Sequence, residues 1–154
     1  MAGGTLSALR FVVGDQEYGV STRQVLEVIR MVSITPLPTA PDFVEGVINR
    51  RGQTTPVLNL RRRLGLGAAR PTSDSRMIIT EVDGKPLGIV VDRVAEVATL
   101  PAQSIDAPSS YPIAVDRSFV FGVAKTPGGP LVLLDLEHLV VPDEKGALSD
   151  LLSA

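Results

Sequence analysis

The sequence predicts a mostly β protein made of two small barrels packed together. Short runs of β-branched and apolar residues recur every 8 to 15 residues and are bounded by glycine, proline and aspartate. Spacing of this kind is typical of a sandwich or barrel rather than of alternating strands and helices. Two blocks of sequence also occur twice in the same order, which favours two similar units.

Ten runs are predicted to be strands. In chain order they are LRFVVG, EYGV, VLEVIR, GVINR, TPVLNL, RMIITEV, LGIVVD, VAEVATL, FVFGVA and PLVLLDL. Two connections have the residues of tight hairpin turns, Gly14-Asp15 and Asp83-Gly84. Helical signals are short: NLRRRLGLG, which its glycines end, and PDEKGALSDLLSA at the C-terminal end. Residues 65–75 have the composition of a surface loop.

The repeated blocks define the predicted domain organisation. FVEGVINRRGQTTPVLNL matches FVFGVAKTPGGPLVLLDL at a constant offset of 76, and YGVSTRQVLEV matches LGIVVDRVAEV at an offset of 69. We therefore expect one domain over 1–154, with a first barrel over 15–70 and a second over 76–140 that the N-terminal strand 8–14 can complete. Side chains fill barrels of this size, so the groove between them is the expected working surface. The repeat pairs used below are Val25 with Val94, Glu27 with Glu96 and Phe43 with Phe119.

The composition narrows the classes of function. The chain has 154 residues, a formal net charge of −2, no cysteine and a single histidine, His138. Without cysteine there can be no disulfide or thiolate metal site, and one histidine argues against a metal cluster, although carboxylate-only sites stay open. We see no signal peptide, and no apolar run approaches the ~20 residues that span a bilayer. We therefore expect a soluble cytoplasmic protein without cofactors.

Known catalytic motifs are missing from the sequence, and three functional interpretations stay open. No serine lies in a nucleophile elbow, and neither GLG nor PGGP has the context of a phosphate loop. Scattered carboxylates, with Glu27 and Glu96 related by the repeat, leave a small enzyme open. The stretch from Gly46 to Ser73 carries six arginines and no acidic residue. It can be a solvated face with internal ion pairs, a docking patch for an acidic protein partner, or a nucleic-acid site.

Four blocks resemble the CheW family of bacterial chemotaxis coupling proteins. They are FVVGDQEYGVSTRQVLEVIRMVSITPLPTAPDF, FVEGVINRRGQTTPVLNLRRRLGL, GIVVDRVAEVATLPAQSI and FVFGVAKTPGGPLVLLDLEHLV, which together cover roughly residues 8 to 140. The resemblance implies two five-stranded SH3-like barrels around a shared apolar core. It also implies a non-catalytic adaptor that joins the cytoplasmic tip of chemoreceptors to the regulatory domain of a CheA-type histidine kinase in receptor arrays. A coupling protein of a non-flagellar system, for example one for surface motility, is the alternative.

The resemblance also implies a receptor-binding surface. Its polar part is the Asn-x-Arg-Gly turn, where Arg51 can donate to a carboxylate or to helix-end carbonyls. Asn49 would cap this turn with its side-chain amide, and Gly52 would allow a turn where a Cβ would clash. The matching apolar groove positions are Leu9, Val25 and Val94, with ordinary core as the competing interpretation. The resemblance assigns no residues to the kinase interface and no metal ligands.

Four positions depart from the family pattern, among them Thr54 and Thr55, which replace the usual bulky β-branched pair and make the strand more polar. Arg50 stands where the family usually has leucine, which predicts either an exposed side chain or a different partner. Asn59 stands where aspartate is common, while its repeat counterpart is Asp135.

Overall fold

Strands arranged in two sheets make up most of the structure, a computed structural model that describes residues 4–67, 69–113 and 115–139. The strands are β1 (Thr5–Val13), β2 (Gln16–Ser21), β3 (Val25–Arg30), β4 (Val44–Arg50), β5 (Gln53–Asn59), β6 (Arg76–Val82), β7 (Lys85–Val91), β8 (Arg93–Pro101), β9 (Ile105–Asp106), β10 (Val120–Thr126) and β11 (Gly129–Leu134). Short α-helices are α1 (Leu60–Arg63) and α2 (Leu136–Leu139), and single 3₁₀ turns cover Thr22–Gln24, Ala102–Ser104, Pro108–Ser110 and Arg117–Phe119. All ten predicted strands are present, and β9 is additional. The predicted helix over 142–154 lies outside the described residues.

The strand order confirms the predicted fold class of two small β units. One sheet has five strands in the order β3-β6-β7-β5-β4, and the other has six in the order β8-β1-β2-β11-β10-β9. Neighbouring strands are antiparallel except for β5 with β7 and β2 with β11, which are parallel. We call these units the first barrel and the second barrel.

The barrels do not follow the predicted boundaries. β2 was expected within the first barrel over 15–70, yet it pairs with β1 and β11 in the second. β6 and β7 were expected within the second barrel over 76–140, yet they lie between β3 and β5 in the first. Each sequence repeat therefore contributes its first hairpin, β1–β2 or β6–β7, to the barrel that contains the last two strands of the other repeat. The exchanged hairpins join their barrels through the two parallel strand pairs, β5 with β7 and β2 with β11. The spacing of strands along the sequence does not predict which strands pair.

Matching irregularities confirm the internal repeat. The β4–β5 ladder slips between Val44 and Gly46, and the β10–β11 ladder slips between Val120 and Gly122. These positions are separated by the offset of 76 seen in the sequence. The parallel pairs agree too, because Val57 pairs with Gly88 in the first barrel and their counterparts Leu133 and Gly19 pair in the second. Since β-bulges bend a strand at a fixed place, the two units are bent alike.

The core is formed in three parts, the largest of which lies between the barrels. Successive residues of a strand face opposite sides of the sheet, so one side can fill a barrel while the other packs on its neighbour. On β1, Ala8 belongs to the second barrel's own interior and Leu9 to the shared core. On β6, Ile79 belongs to the first barrel's interior and Ile78 to the shared core. Burial on both faces therefore joins the barrels into one folding unit.

Candidate functional site

The candidate polar site lies at the tip of the β4–β5 hairpin. Arg51 and Gly52 form a two-residue turn in which both residues have positive φ, 53° and 79°. The Asn49 side-chain oxygen accepts a hydrogen bond from the Gly52 amide at 3.0 Å, which is the predicted cap. The predicted reason for Gly52 was wrong, because no atom lies within 4 Å of the position that its Cβ would take. Its backbone angle, rather than crowding, favours glycine.

Both arginines of the hairpin contact Glu27. Arg50 Nε donates to one oxygen of the Glu27 carboxylate at 2.8 Å, and Arg51 Nη2 donates to the other at 3.3 Å. Glu27 is on β3 and Arg50 on β4, which are the two edges of the five-stranded sheet. This ion pair, together with the backbone bridge between Thr35 and Val47, ties the edges into a barrel. The expectation of an exposed Arg50 was wrong: its side chain is 15% exposed, against 76% for Arg51.

The environment of Glu27 favours its charged form. The hydrogen bond from Arg50 lowers the pKa of this carboxyl below its usual value, and the charges of Arg50 and Arg51 add to the effect. Partial burial opposes these contributions without cancelling them. Glu27 is thus a fixed negative charge at neutral pH, suited to holding cations rather than to exchanging protons.

Exposed apolar side chains lie on β3 and β8, which are edge strands of the two sheets. Val25 lies opposite Thr80 and Val28 lies opposite Ile78 on β6. Because a bulge follows Val25, these two valines face the same side of the sheet. Cross-strand partners share a face, so Val28 lies on the side of the shared core although it is 40% exposed. The shared core therefore continues outward to an accessible apolar edge on β3.

The same geometry occurs on β8 of the second barrel. Val94 lies opposite Phe11 and Val97 opposite Leu9, again across a bulge, and Val97 is 54% exposed. Leu9 is buried in the shared core, and Val25 and Val94 are partly buried against it. All three predicted apolar positions therefore belong to the shared core or pack against it.

Sequence reasoning missed the two exposed valines, Val28 and Val97. Both valines were within the aligned blocks at the offset of 69, so the signal was available. A regular alternating pattern without bulges would place Val28 and Val97 on the opposite strand face from Val25 and Val94.

The polar site occurs on one barrel only. At the offset of 76, the residues that correspond to Arg50 and Arg51 in the β10–β11 hairpin are Thr126 and Pro127, which carry no charge. Glu96, the counterpart of Glu27, has an ion pair with Arg10 at 3.5 Å. The pair of arginines is therefore not repeated in the β10–β11 hairpin, and each repeat-related glutamate is paired with arginine.

Most of the other arginines of the basic stretch are engaged within the chain. Arg61 pairs with Asp92 at 3.4 Å, and Arg62 donates to the carbonyl of Asp42. The Arg63 guanidinium lies 4.3 Å and 4.8 Å from the ring centres of Phe43 and Phe119 and donates to the carbonyl of Leu139. Because these two phenylalanines are repeat counterparts, Arg63 joins the two repeats.

The remaining titratable groups offer no further candidate. His138, at the end of α2, is exposed and lies 2.6 Å from the Asp135 carboxylate. Within residues 4–67, 69–113 and 115–139, three or more metal-ligating side chains do not come together. The helices of these segments are too short to cross a membrane.

Comparison with known proteins identifies the family. A family model described as a CheW-like domain matches residues 7–143. The chain belongs to the CheW-like family. It is 33% identical over 147 residues to the chemotaxis protein CheW of Rhizobium meliloti (strain 1021), covering 96% of this chain and 95% of that protein. It is 39% identical over 98 residues to protein FrzA of Myxococcus xanthus, covering 64% and 61%.

A solved structure agrees with this assignment. The scaffolding protein TtCheW from Thermoanaerobacter tengcongensis superposes with a TM-score of 0.85 and is 35% identical, covering 92% of this chain and 96% of that one. The likeness extends over both barrels.

Proposed function

We propose that this CheW-like chain is a non-catalytic adaptor that couples chemoreceptors to a CheA-type histidine kinase. The observation that carries the proposal is the CheW-like match over residues 7–143. Relatives named as chemotaxis and scaffolding proteins support the same role. The adaptor acts in the cytoplasm, at receptor arrays, and needs no cofactor.

The receptor tip binds in the groove between the barrels. Val28 and Val97 offer accessible apolar surface on its two walls, with Val25, Val94 and Leu9 beneath them. A helix with an apolar stripe can lie in such a groove, which is a common mode of peptide recognition. In this proposal Arg51, exposed at the tip of the β4–β5 hairpin, provides a polar contact that fixes the register of the helix, while Asn49 and Gly52 hold its turn.

The proposal is tested by reversing the charge of Arg51. The purified chain is mixed with receptor cytoplasmic fragments from the same genome, and retained receptor is measured in a pull-down. We expect Arg51→Glu to abolish retention with an unchanged circular dichroism spectrum, because the side chain is 76% exposed. Arg62→Glu, with the same charge change beyond the opposite end of β5, is the control and should bind like the wild type. Equal retention by both variants would count against the proposed surface.

The alternative system remains a proposal of the same kind. The similarity to protein FrzA shows that the family includes members not named as CheW. Co-purification from cell extract, read by mass spectrometry, identifies the receptor and the kinase and so decides between a flagellar and a non-flagellar system. Capture of neither class of protein would contradict the coupling role.

A further inference from the structure

A cavity of about 430 Å³ lies between the two barrels, beside the β1–β2 turn. Its floor is the shared-core face of the second barrel, where Val13, Tyr18 and Val132 line it. Arg61 of α1 and Leu66 of the loop that follows line it from the first barrel, and the connection from β9 to β10 adds further apolar side chains. Cavities that hold small ligands have volumes of about 300–1,000 Å³, so this one is large enough for a small molecule.

The guanidinium group of Arg61 is incompletely hydrogen-bonded in the wall of this cavity. Its Nε is buried and has no hydrogen-bond partner among the described residues. Its Nη2 lies 3.4 Å from Asp92 Oδ2, an oxygen that already accepts from the Gly14 amide at 2.8 Å. Its Nη1 lies 3.5 Å from the carbonyl oxygen of Leu66. Because contacts of this length are weak, Arg61 has donor capacity to spare and is loosely held.

Tyr18 brings a second unsatisfied polar group to the same cavity. The residue is 1% exposed, and its ring stacks with that of Phe11 at a centroid distance of 6.1 Å. Burial is the one cause that raises the pKa of Tyr18, and no hydrogen bond within the described part of the chain contributes. Buried tyrosine hydroxyls usually have a hydrogen-bond partner. An acceptor placed in the cavity would therefore satisfy side chains of both barrels.

The charges around the cavity favour a neutral ligand. The charge of Arg61 is already compensated by Asp92, and Asp15, which is exposed at the β1–β2 turn, adds a negative charge to the lining. The cavity therefore lacks a hydrogen-bond acceptor rather than an anion. Since valine side chains form much of the floor, the molecule that fits is apolar and carries a carbonyl oxygen, as a ketone, ester or amide does.

We propose that this cavity binds a small, neutral, apolar carbonyl compound, whose oxygen accepts hydrogen bonds from Tyr18 and Arg61. The apolar body of the ligand lies on Val13 and Val132. Because the contacts of Arg61 are long, its guanidinium group can turn its Nε toward the ligand. Such a ligand contacts both barrels and stabilises the folded chain by mass action. This role goes beyond the proposed adaptor function and does not depend on it.

The first test compares three probes on the purified chain. 2-Octanone, octanoate and octylammonium have similar apolar chains and differ in their head groups, which are a neutral acceptor, an anionic acceptor and a cationic donor. Binding is followed by titration of amide resonances in NMR spectra. We expect 2-octanone to bind about tenfold more tightly than either charged probe, the effect of one well-placed hydrogen bond, and to shift resonances of the cavity lining. Equal binding of the three probes, tighter binding of a charged probe, or no saturable shift with 2-octanone overturns the inference.

The second test uses variants of the lining. Tyr18→Phe keeps the ring and removes the unpartnered hydroxyl, so we expect it to be at least as stable as wild type in urea yet to bind 2-octanone several-fold more weakly. Ile113→Trp fills the cavity and should abolish binding, whereas Phe121→Trp, at an exposed position outside the lining, is the control and should bind like wild type. Unchanged affinity in Tyr18→Phe or in Ile113→Trp overturns the inference. The adaptor function, measured with receptor and kinase, stands or falls separately.

Discussion

A glycine pair related by the repeat gives a sharp test of the fold. Gly46 has φ of 146°, and a Cβ built on it would lie 2.0 Å from the Thr35 carbonyl oxygen. That oxygen accepts from the Val47 amide at 2.9 Å, and the Thr35 amide donates to the Val47 carbonyl at 2.8 Å. Gly122 corresponds to Gly46, but its Cβ would meet a side-chain methyl of Ile105 at 2.6 Å. The obstacle is backbone in the first barrel and a side chain in the second.

The magnitudes follow from these neighbours. Gly46→Ala places alanine in a glycine region of the backbone map, which costs about 1–3 kcal/mol. It also breaks the two bonds between Thr35 and Val47, at about 0.5–1.5 kcal/mol each. Together these predict a loss of about 2–6 kcal/mol, or a fall in Tm of roughly 4–24 °C for a domain of this size. Gly122→Ala requires repacking of Ile105 and a small adjustment at the Asp106 carbonyl oxygen, 3.3 Å from the Cβ position, for which about 1–3 kcal/mol is the usual cost of overpacking.

Chemical and thermal unfolding measure the difference. Both variants and the wild type are unfolded in urea and by heating, followed by circular dichroism, and the free energies of unfolding are compared. Gly46→Ala should lose clearly more stability than Gly122→Ala. Equal losses, or a larger loss for Gly122→Ala, would refute the reasoning that backbone contact at Thr35 sets the cost.

Three further predictions concern the site and the joint between repeats. Glu27→Gln should be less stable than wild type above pH 4.5, with the difference vanishing as the pH falls through the lowered pKa of Glu27; a pH-independent difference in urea midpoint would contradict this. Arg63→Met should lose about 1–3 kcal/mol through its two ring contacts, whereas Arg62→Met should change stability by less than ~0.5 kcal/mol, and similar values in urea melts would contradict the contact. Val28→Asp and Val97→Asp should each reduce receptor retention at least tenfold, because a charge is buried on binding. Phe121→Asp, also at an exposed apolar position, is the control and should not reduce retention. Equal retention by all three variants would place the receptor elsewhere.

The sequence predicted features that depend on neighbouring residues. Hairpins at Gly14-Asp15 and Asp83-Gly84 follow from turn chemistry, and Asn49 caps its turn as expected. Repeat matching located the two bent hairpins of β4–β5 and β10–β11. Each of these signals is contained within a short stretch of chain.

Features that depend on distant contacts were not predicted. The exchange of hairpins between barrels requires β2 to pair with β11, more than a hundred residues away. The pairing of Arg50 with Glu27 joins the two edges of a sheet, so neither residue type nor spacing signals it. The exposure of Val28 and Val97 depends on bulges, and a bulge reverses the alternation on which strand faces are predicted.

An adaptor of the proposed kind binds a receptor and a kinase at once. This is measured by co-sedimentation of a CheA-type kinase with receptor-containing membranes from the same organism, with and without the chain. We expect the kinase to sediment with the receptor when wild-type chain is added and to stay in solution with Arg51→Glu. Equal sedimentation of the kinase with wild type, with Arg51→Glu and with no chain at all would contradict the proposed role.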